Sequence, residues 1–323
     1  MAGTWIPDVL GEEFEQLTLP LEPDNEGEVV ATLVRALPKK RWFRRRPLED
    51  VDVLYVHGWS DYFFQKRVAR TFTELGARFY ALDLRKYGRS LREGQSAGYV
   101  DDLATYDEDI RAALDAIGSG RRLVLFGHST GGLVLSLWAH RNPGAASAVI
   151  LNSPWLELQL PKFQREAITP LIEMQARRRP MDRTPQIDLG FYSRAQAAAA
   201  DPDDPIEYDF AWRPEQSMSV HIGWLSAILR GHDQVEDGLA IDVPILVMLS
   251  ARSARPLRWS DDLTRADSVL IVDDIARAAL GLGPLVTVAR IEGALHDVFV
   301  SRRDARAEAY RVLTAWAERM LPR

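Results

Sequence analysis

Leu123-Val124-Leu125-Phe126-Gly127-His128-Ser129-Thr130-Gly131-Gly132 joins a short apolar run to a G-x-S-x-G turn, and a helical pattern follows from Gly131 to His140. A strand that turns sharply into a helix around a serine forces a strained backbone there. Such a turn is tolerated where the flanking positions carry no side chain, which is the place of Gly127 and Gly131. The hydroxyl of Ser129 is then expected at the N-terminus of a helix. His128 adjoins it along the chain, but its side chain should point away, so it reads as a packing residue.

Outward from this stretch the same rhythm repeats. Apolar runs at Val53 to Val56, Arg78 to Leu82, Leu123 to Phe126 and Ala148 to Leu151 alternate with helical patterns at about Tyr62 to Leu75, Leu103 to Ile117 and Gly131 to His140. Short apolar strands separated by helices predict a mostly parallel, doubly wound sheet covered on both faces, hence an α/β fold. Rough alternation over Glu13 to Leu19 and Glu28 to Leu37 predicts a half-buried hairpin ahead of it. The rhythm breaks between Trp155 and about Asp242, where a helical pattern (Phe163 to Arg178), the alanines at 197 to 200, the turn Asp201-Pro-Asp-Asp-Pro205 and many aromatics follow one another. It resumes at Ile245 to Leu249 and Val286 to Ile291 and closes with a helix from about Arg303 to Arg319. The expected organisation is a core of residues 1–154 and 243–323 carrying an inserted helical cap, residues 155–242.

Composition excludes several classes. The 323 residues hold 40 Lys and Arg against 46 Asp and Glu, a net charge of −6, with 46% apolar and 27% charged residues. Neither disorder nor the basic footprint of a nucleic-acid binder fits these numbers. With no cysteine there is no disulfide framework, thiolate cluster or cysteine nucleophile, which suits a reducing cytoplasm. No apolar run reaches about eighteen residues and the start does not resemble an export signal, so a cytoplasmic chain without a transmembrane segment is expected. The basic segment Lys39-Lys-Arg-Trp-Phe-Arg-Arg-Arg46 reads as a solvated loop, with contact to an anionic membrane surface as its functional alternative.

A serine hydroxyl becomes a nucleophile when a histidine takes its proton, and the chain has six histidines. His140 sits within a helix, and His221 and His232 lie in the inserted segment. His296, in Glu292-Gly-Ala-Leu-His-Asp297, follows the strand Val286 to Ile291 and can arrive at the same sheet edge as Ser129.

These residues resemble the α/β-hydrolase superfamily, in particular its branch of monoacylglycerol lipases, lysophospholipases and serine aminopeptidase-like hydrolases. His57-Gly58-Trp59 is similar to the oxyanion loop of that branch, Asp83-Leu-Arg-Lys86-Tyr-Gly-Arg-Ser90 to its Asp-x-Arg-Gly-His-Gly-x-Ser turn, Gly127 to Gly132 to its serine turn, and Gly293-Ala-Leu-His296 to its histidine loop. Lys86 departs from the pattern by replacing a glycine. The resemblance implies an α/β-hydrolase fold, an oxyanion hole formed by the backbone amides of Trp59 and Thr130, and an acid from the loop after Ile245 to Leu249. Ser250 to Ser260 contains no carboxylate, which leaves Asp261, Asp262, Asp267, Asp273 and Asp274. Asp267-Ser-Val-Leu-Ile-Val272 is most similar to the family's acid segment, with Asp262 second, and the extra residues before it are expected as an exposed loop at the rim of the site.

The expected chemistry is ester hydrolysis through an acyl-enzyme on Ser129, with His296 as base, Asp267 as its partner and no metal or organic cofactor. Aromatic residues of the inserted segment favour an acyl or aromatic ester, among them a monoacylglycerol or lysophospholipid, with Tyr62, Tyr192 and Trp224 as substrate contacts. An aminopeptidase-like reading, with Asp201, Asp203 and Asp204 receiving an ammonium, a thioester or carbon–carbon substrate, and a non-catalytic receptor are the rival readings.

Overall fold

A computed structural model describes residues 3–39, 45–160, 162–185 and 188–321. Among the described residues nine strands form one sheet in the order β1-β2-β3-β5-β4-β6-β7-β8-β9. They are β1 (Ile6–Pro7), β2 (Glu15–Asp24), β3 (Gly27–Ala36), β4 (Val51–Val56), β5 (Arg78–Asp83), β6 (Arg122–His128), β7 (Ala148–Asn152), β8 (Ile245–Ser250) and β9 (Val286–Ile291). The hairpin β2–β3 joins the rest through antiparallel pairing of β3 with β5. From β5 to β9 every pair is parallel.

Parallel strands need crossovers, and the helices between them cover both faces. Successive residues of β4 alternate between these faces. Val53 and Tyr55 pack with α1 (Lys66–Glu74) and α8 (Arg303–Met320), while Leu54 and Val56 pack with α2 (Tyr106–Ile117), α3 (Thr130–Arg141) and α7 (Val272–Ala279). Ten successive residues of α3, Thr130 to Ala139, are buried, as expected of a helix apolar on all sides. One polar residue interrupts β4: buried Asp52 accepts from Arg78 at 2.6 Å and Arg121 at 2.8 Å.

Between β7 and β8 stand α4 (Lys162–Arg178), α5 (Phe191–Ala199) and α6 (Ile222–Glu236). Of these, α6 enters the main core through Trp224, Ala227, Ile228 and Val235 beside Leu133 and Leu137 of α3. Two helical expectations shift. Residues 62–65 precede α1, because the Phe63 amide donates to Asp83 Oδ1 at 2.9 Å and Tyr62, Phe63 and Phe64 are buried as a loop. Asp102 caps a short 3₁₀ turn at Leu103–Thr105, and the α-helix proper begins at Tyr106.

Lys86, the departure from the family glycine, has φ of 63°, a left-handed conformation that glycine adopts most readily. Its buried ammonium is 2.6 Å from both Asp24 and Glu26 at the tip of the hairpin. Of the basic segment, Lys40 to Arg44 lie outside the described residues. At its end Arg46 donates to the carbonyl of Thr73 at 2.6 Å. Among the described residues no helix is long and apolar enough to cross a membrane.

Candidate active site

Ser129 stands between β6 and α3 with φ 50° and ψ −118°, a conformation that costs a non-glycine residue about 1–3 kcal/mol. Close approach explains its neighbours. A Cβ at Gly131 would meet the carbonyl oxygen of His57 at 2.3 Å, and one at Gly127 would meet that of Gly131 at 2.6 Å. The Ser129 amide donates to the Asn152 carbonyl at 3.0 Å, and the Ser129 carbonyl accepts from Gly132 at 2.9 Å and Trp155 at 3.0 Å. These bonds fix the turn to the end of β7 and to the start of the inserted segment.

His296 enters from the loop after β9. Its Nε2 lies 3.0 Å from Ser129 Oγ, and its Nδ1 lies 2.9 Å from Asp267 Oδ2. A carboxylate can only accept, so Nδ1 carries the proton and Nε2 is left to accept from the serine hydroxyl. Asp267 is fully buried, and its Oδ1 accepts from the amides of Val269 at 2.7 Å and Leu270 at 2.8 Å. Its backbone is bracketed by bonds to Arg252 and Ala254, so a rigid loop presents it to the imidazole.

The other aspartates left open by the sequence point elsewhere. Asp262 is exposed and paired with Arg252, Asp273 with Arg290, and Asp274 with Arg277. Asp261 is exposed beside Asp262 at the start of a 3₁₀ turn. The carboxylate-free loop before them reaches the cavity mouth through Pro256 and Leu257, and Leu257 is 81% exposed.

Four of the five remaining histidine rings, those of His57, His128, His140 and His232, are bonded to backbone. His57 Nδ1 donates to Gly58 O at 2.8 Å while its Nε2 accepts from the Leu84 amide at 3.1 Å. His128 Nδ1 donates to Asn152 O at 3.1 Å. Burial lowers the pKa of both rings, keeping them neutral. The His140 ring accepts from the Ala240 amide, and His221 precedes α6.

His232 Nε2 donates to the Trp155 carbonyl at 2.9 Å, and burial pushes its pKa down to about 4. The unfolded chain takes up a proton there below about pH 6.5, whereas the folded protein resists until about pH 4. Stability is therefore complete above that upper value and declines toward the lower one, by about 3 kcal/mol for this group. Urea unfolding at pH 7.5, 5.5 and 4.5 should show His232→Asn losing less stability across this range than wild type. Equal losses would contradict the assignment.

A cavity of about 760 Å³ opens over Ser129 and His296. Trp59, Trp155, Phe191, Tyr192 and Trp224 give it aromatic walls, and Leu189, Val220, Leu257, Val269 and Leu270 add aliphatic side chains. Trp59 and Thr130 both border it, and among the described residues neither backbone amide donates to another backbone group outside the regular elements. Tyr192 lies beside His296, ring centroids 5.8 Å apart, and Trp224 packs against Trp59 in a tilted arrangement with centroids 3.9 Å apart.

Tyr62 is a correction: it does not line the cavity. Its ring is buried against Phe64, Val300 and Trp212, and its hydroxyl accepts from the Asp209 amide at 2.7 Å. The aspartates at 201, 203 and 204 are engaged by Arg303, Arg306 and Arg67 rather than facing the site. Sequence reasoning missed Asp61 and Arg213, which line the cavity as a buried pair with Arg213 Nε 2.9 Å from Asp61 Oδ1. Burial raises the Asp61 pKa, opposed by the Arg213 charge. They are 152 residues apart, so no local pattern announces them. Among the described residues no group of three or more His, Asp or Glu side chains is placed to hold a metal ion.

The fold and this turn define an α/β hydrolase of the monoacylglycerol-lipase-like branch. Residues 50–253 match the family described as serine aminopeptidase, S33, and the chain belongs to that family. A monoacylglycerol lipase of Mycolicibacterium smegmatis is 34% identical over 107 residues, 32% of this chain and 37% of that protein. The chain thus aligns with little more than a third of that relative. Esterase PIR7B of Oryza sativa subsp. japonica is 24% identical over 259 residues, 77% of this chain and 90% of that one. Among solved structures, a soluble variant of monoglyceride lipase from Saccharomyces cerevisiae superposes with a TM-score of 0.64 at 15% identity, covering 94% of this chain and 96% of that one. A carboxyl esterase from Bacillus coagulans gives 0.66 at 14% identity, covering 95% and 99%.

Proposed function

We propose that this hydrolase cleaves carboxylic esters with an apolar acyl or aromatic group through an acyl-enzyme on Ser129. The observation that carries the reading is the buried chain of contacts from Ser129 Oγ to His296 at 3.0 Å and on to Asp267 at 2.9 Å. In the first half-reaction Ser129 Oγ attacks the carbonyl carbon while His296 Nε2 takes its proton. The imidazolium, steadied by Asp267, returns that proton to the departing alcohol. Water then repeats the sequence against the acyl-enzyme and restores the serine.

Charge gathers on the carbonyl oxygen in both steps. The amides of Trp59 and Thr130 are its donors in this reading, and losing one such donor typically costs about 2.7–4 kcal/mol of transition-state stabilisation. The segment of residues 155–242 serves as the cap, since Trp155, Phe191, Tyr192 and Trp224 contribute to the cavity wall. The aromatic and aliphatic part of the wall suits an acyl chain, while Asp61, Asp188, Arg213 and Glu215 place charged groups along the rest of it. The ion pairs of Asp201, Asp203 and Asp204 count against an aminopeptidase-like reception of an ammonium.

A series of p-nitrophenyl esters from acetate upward, run against aminoacyl p-nitroanilides, tests the substrate class. The esters should be turned over, with kcat/KM rising by at most about fourfold per added methylene, the worth of one buried CH₂, until the cavity is full. Faster turnover of the anilides than of every ester would overturn the reading.

A further inference from the structure

Four consecutive residues of the loop after β4 are tied to the inserted segment, Trp59 to α6 and Ser60, Asp61 and Tyr62 to the irregular stretch before it. Trp59 packs against Trp224 with ring centroids 3.9 Å apart and the planes tilted by 40°. Ser60 Oγ accepts from the Met218 amide at 3.0 Å, Asp61 Oδ1 from Arg213 Nε at 2.9 Å, and the Tyr62 hydroxyl from the Asp209 amide at 2.7 Å. Residues 205–220 form no helix or strand. This stretch therefore owes its position to its contacts.

Arg213 is the centre of that attachment. Its Nη2 donates to Gln196 Oε1 of α5 at 2.8 Å, and its guanidinium lies over the rings of Tyr208 and Phe64 at 4.8 and 5.2 Å. The Arg213 and Asp61 side chains are 9% and 6% exposed. A buried pair of this kind is a poor source of net stability, because removing two charges from water cancels most of their attraction. Its distinct contribution is geometric, since the guanidinium fork accepts few arrangements of its partners. The loop it holds needs such help: Ser60, between Trp59 and Asp61, has φ of 54°, a conformation the chain does not keep unaided.

We propose that Arg213 is a positioning residue for catalysis, holding the Trp59 amide in its oxyanion-binding position through Asp61, so that the inserted segment completes the oxyanion hole from outside the core. This rests on the ester-hydrolase reading above. An amide displaced by a fraction of an ångström still lets substrate bind but stabilises the transition state less. The loss should fall on kcat and leave KM nearly unchanged.

The experiment compares wild type, Arg213→Met, Arg213→Lys and Asp61→Asn on p-nitrophenyl butyrate, with inhibition by an alkyl trifluoromethyl ketone. In that inhibitor the Ser129 oxygen adds to the ketone carbon, its proton passes to His296, and the oxygen left negative occupies the oxyanion hole. Arg213→Met should lose about thirtyfold in kcat with KM within about twofold, and its trifluoromethyl ketone Ki should rise by a matching factor. The matching methyl ketone, a ground-state competitor, should bind unchanged. Arg213→Lys should recover part of the loss, and Asp61→Asn should show the same kcat-only pattern should the methionine variant fail to fold. Folded variants with wild-type kcat, or a loss carried by KM alone, would overturn the proposal. A wild type inert toward both ester and trifluoromethyl ketone would overturn the underlying reading and this inference with it.

Discussion

Ser129→Ala is expected to lower kcat for ester hydrolysis by about a millionfold, the scale seen when the nucleophile of a serine triad is removed. Alanine removes the oxygen that forms the covalent bond. It also leaves His296 Nε2 facing a void where it now lies 3.0 Å from a hydroxyl. The folded state should survive, because the strained turn is held by backbone bonds to Asn152, Gly132 and Trp155, none of which uses the side chain. Any residual rate above water would come from the oxyanion donors and from binding. Steady-state kinetics on a short aryl ester, with circular dichroism as the control for folding, measures this. A variant retaining even a hundredth of wild-type kcat would place the nucleophile elsewhere.

The second large effect is expected at Asp267. Asp267→Asn keeps the shape but presents an amide that can donate toward Nδ1. The imidazole then favours the tautomer with its proton on Nε2, which cannot accept from Ser129. A loss of about 10⁴-fold in kcat follows. The buried Oδ1 position also accepts from the Val269 and Leu270 amides, so the oxygen of the asparagine has a reason to stay there and the nitrogen to face His296. Asp262→Asn is the control. That carboxylate is exposed and occupied by Arg252, and exposed pairs contribute little, so activity should remain near wild type. Inverted results from the two variants would move the acid.

The parallel strands are legible in the sequence because buried sheets leave nearly unbroken apolar runs; Val53 to Val56 and Ile245 to Leu249 fall inside the observed, fully buried strands. The helix α6 is hidden because Gly223 and Gly231 interrupt its apolar pattern. Both permit close packing: a Cβ at Gly231 would meet Leu103 at 2.9 Å, and one at Gly223 the Tyr99 hydroxyl at 2.7 Å. The start of α1 departs from the helical pattern for a tertiary reason, the bond from the Phe63 amide to Asp83. Sequence neighbours place Tyr62 against substrate, whereas its burial against Trp212 depends on a loop about 150 residues away.

Ser129 and His296 are legible because each sits at the end of a strand in a distinctive turn. Asp267 is legible only by resemblance, since five aspartates crowd that region and their separation depends on which one the chain buries. Asp61 and Arg213 leave no trace, because an ion pair between distant segments has no period. Lys86 is visible as a departure but not as an ion pair, for its partners belong to the hairpin.

The most direct test of the account is the site of covalent capture. Wild-type protein treated with a fluorophosphonate, digested and mapped by mass spectrometry should carry one adduct, on the peptide containing Ser129, and Ser129→Ala should carry none. Labelling at another residue, or no labelling of folded wild-type protein, would contradict it.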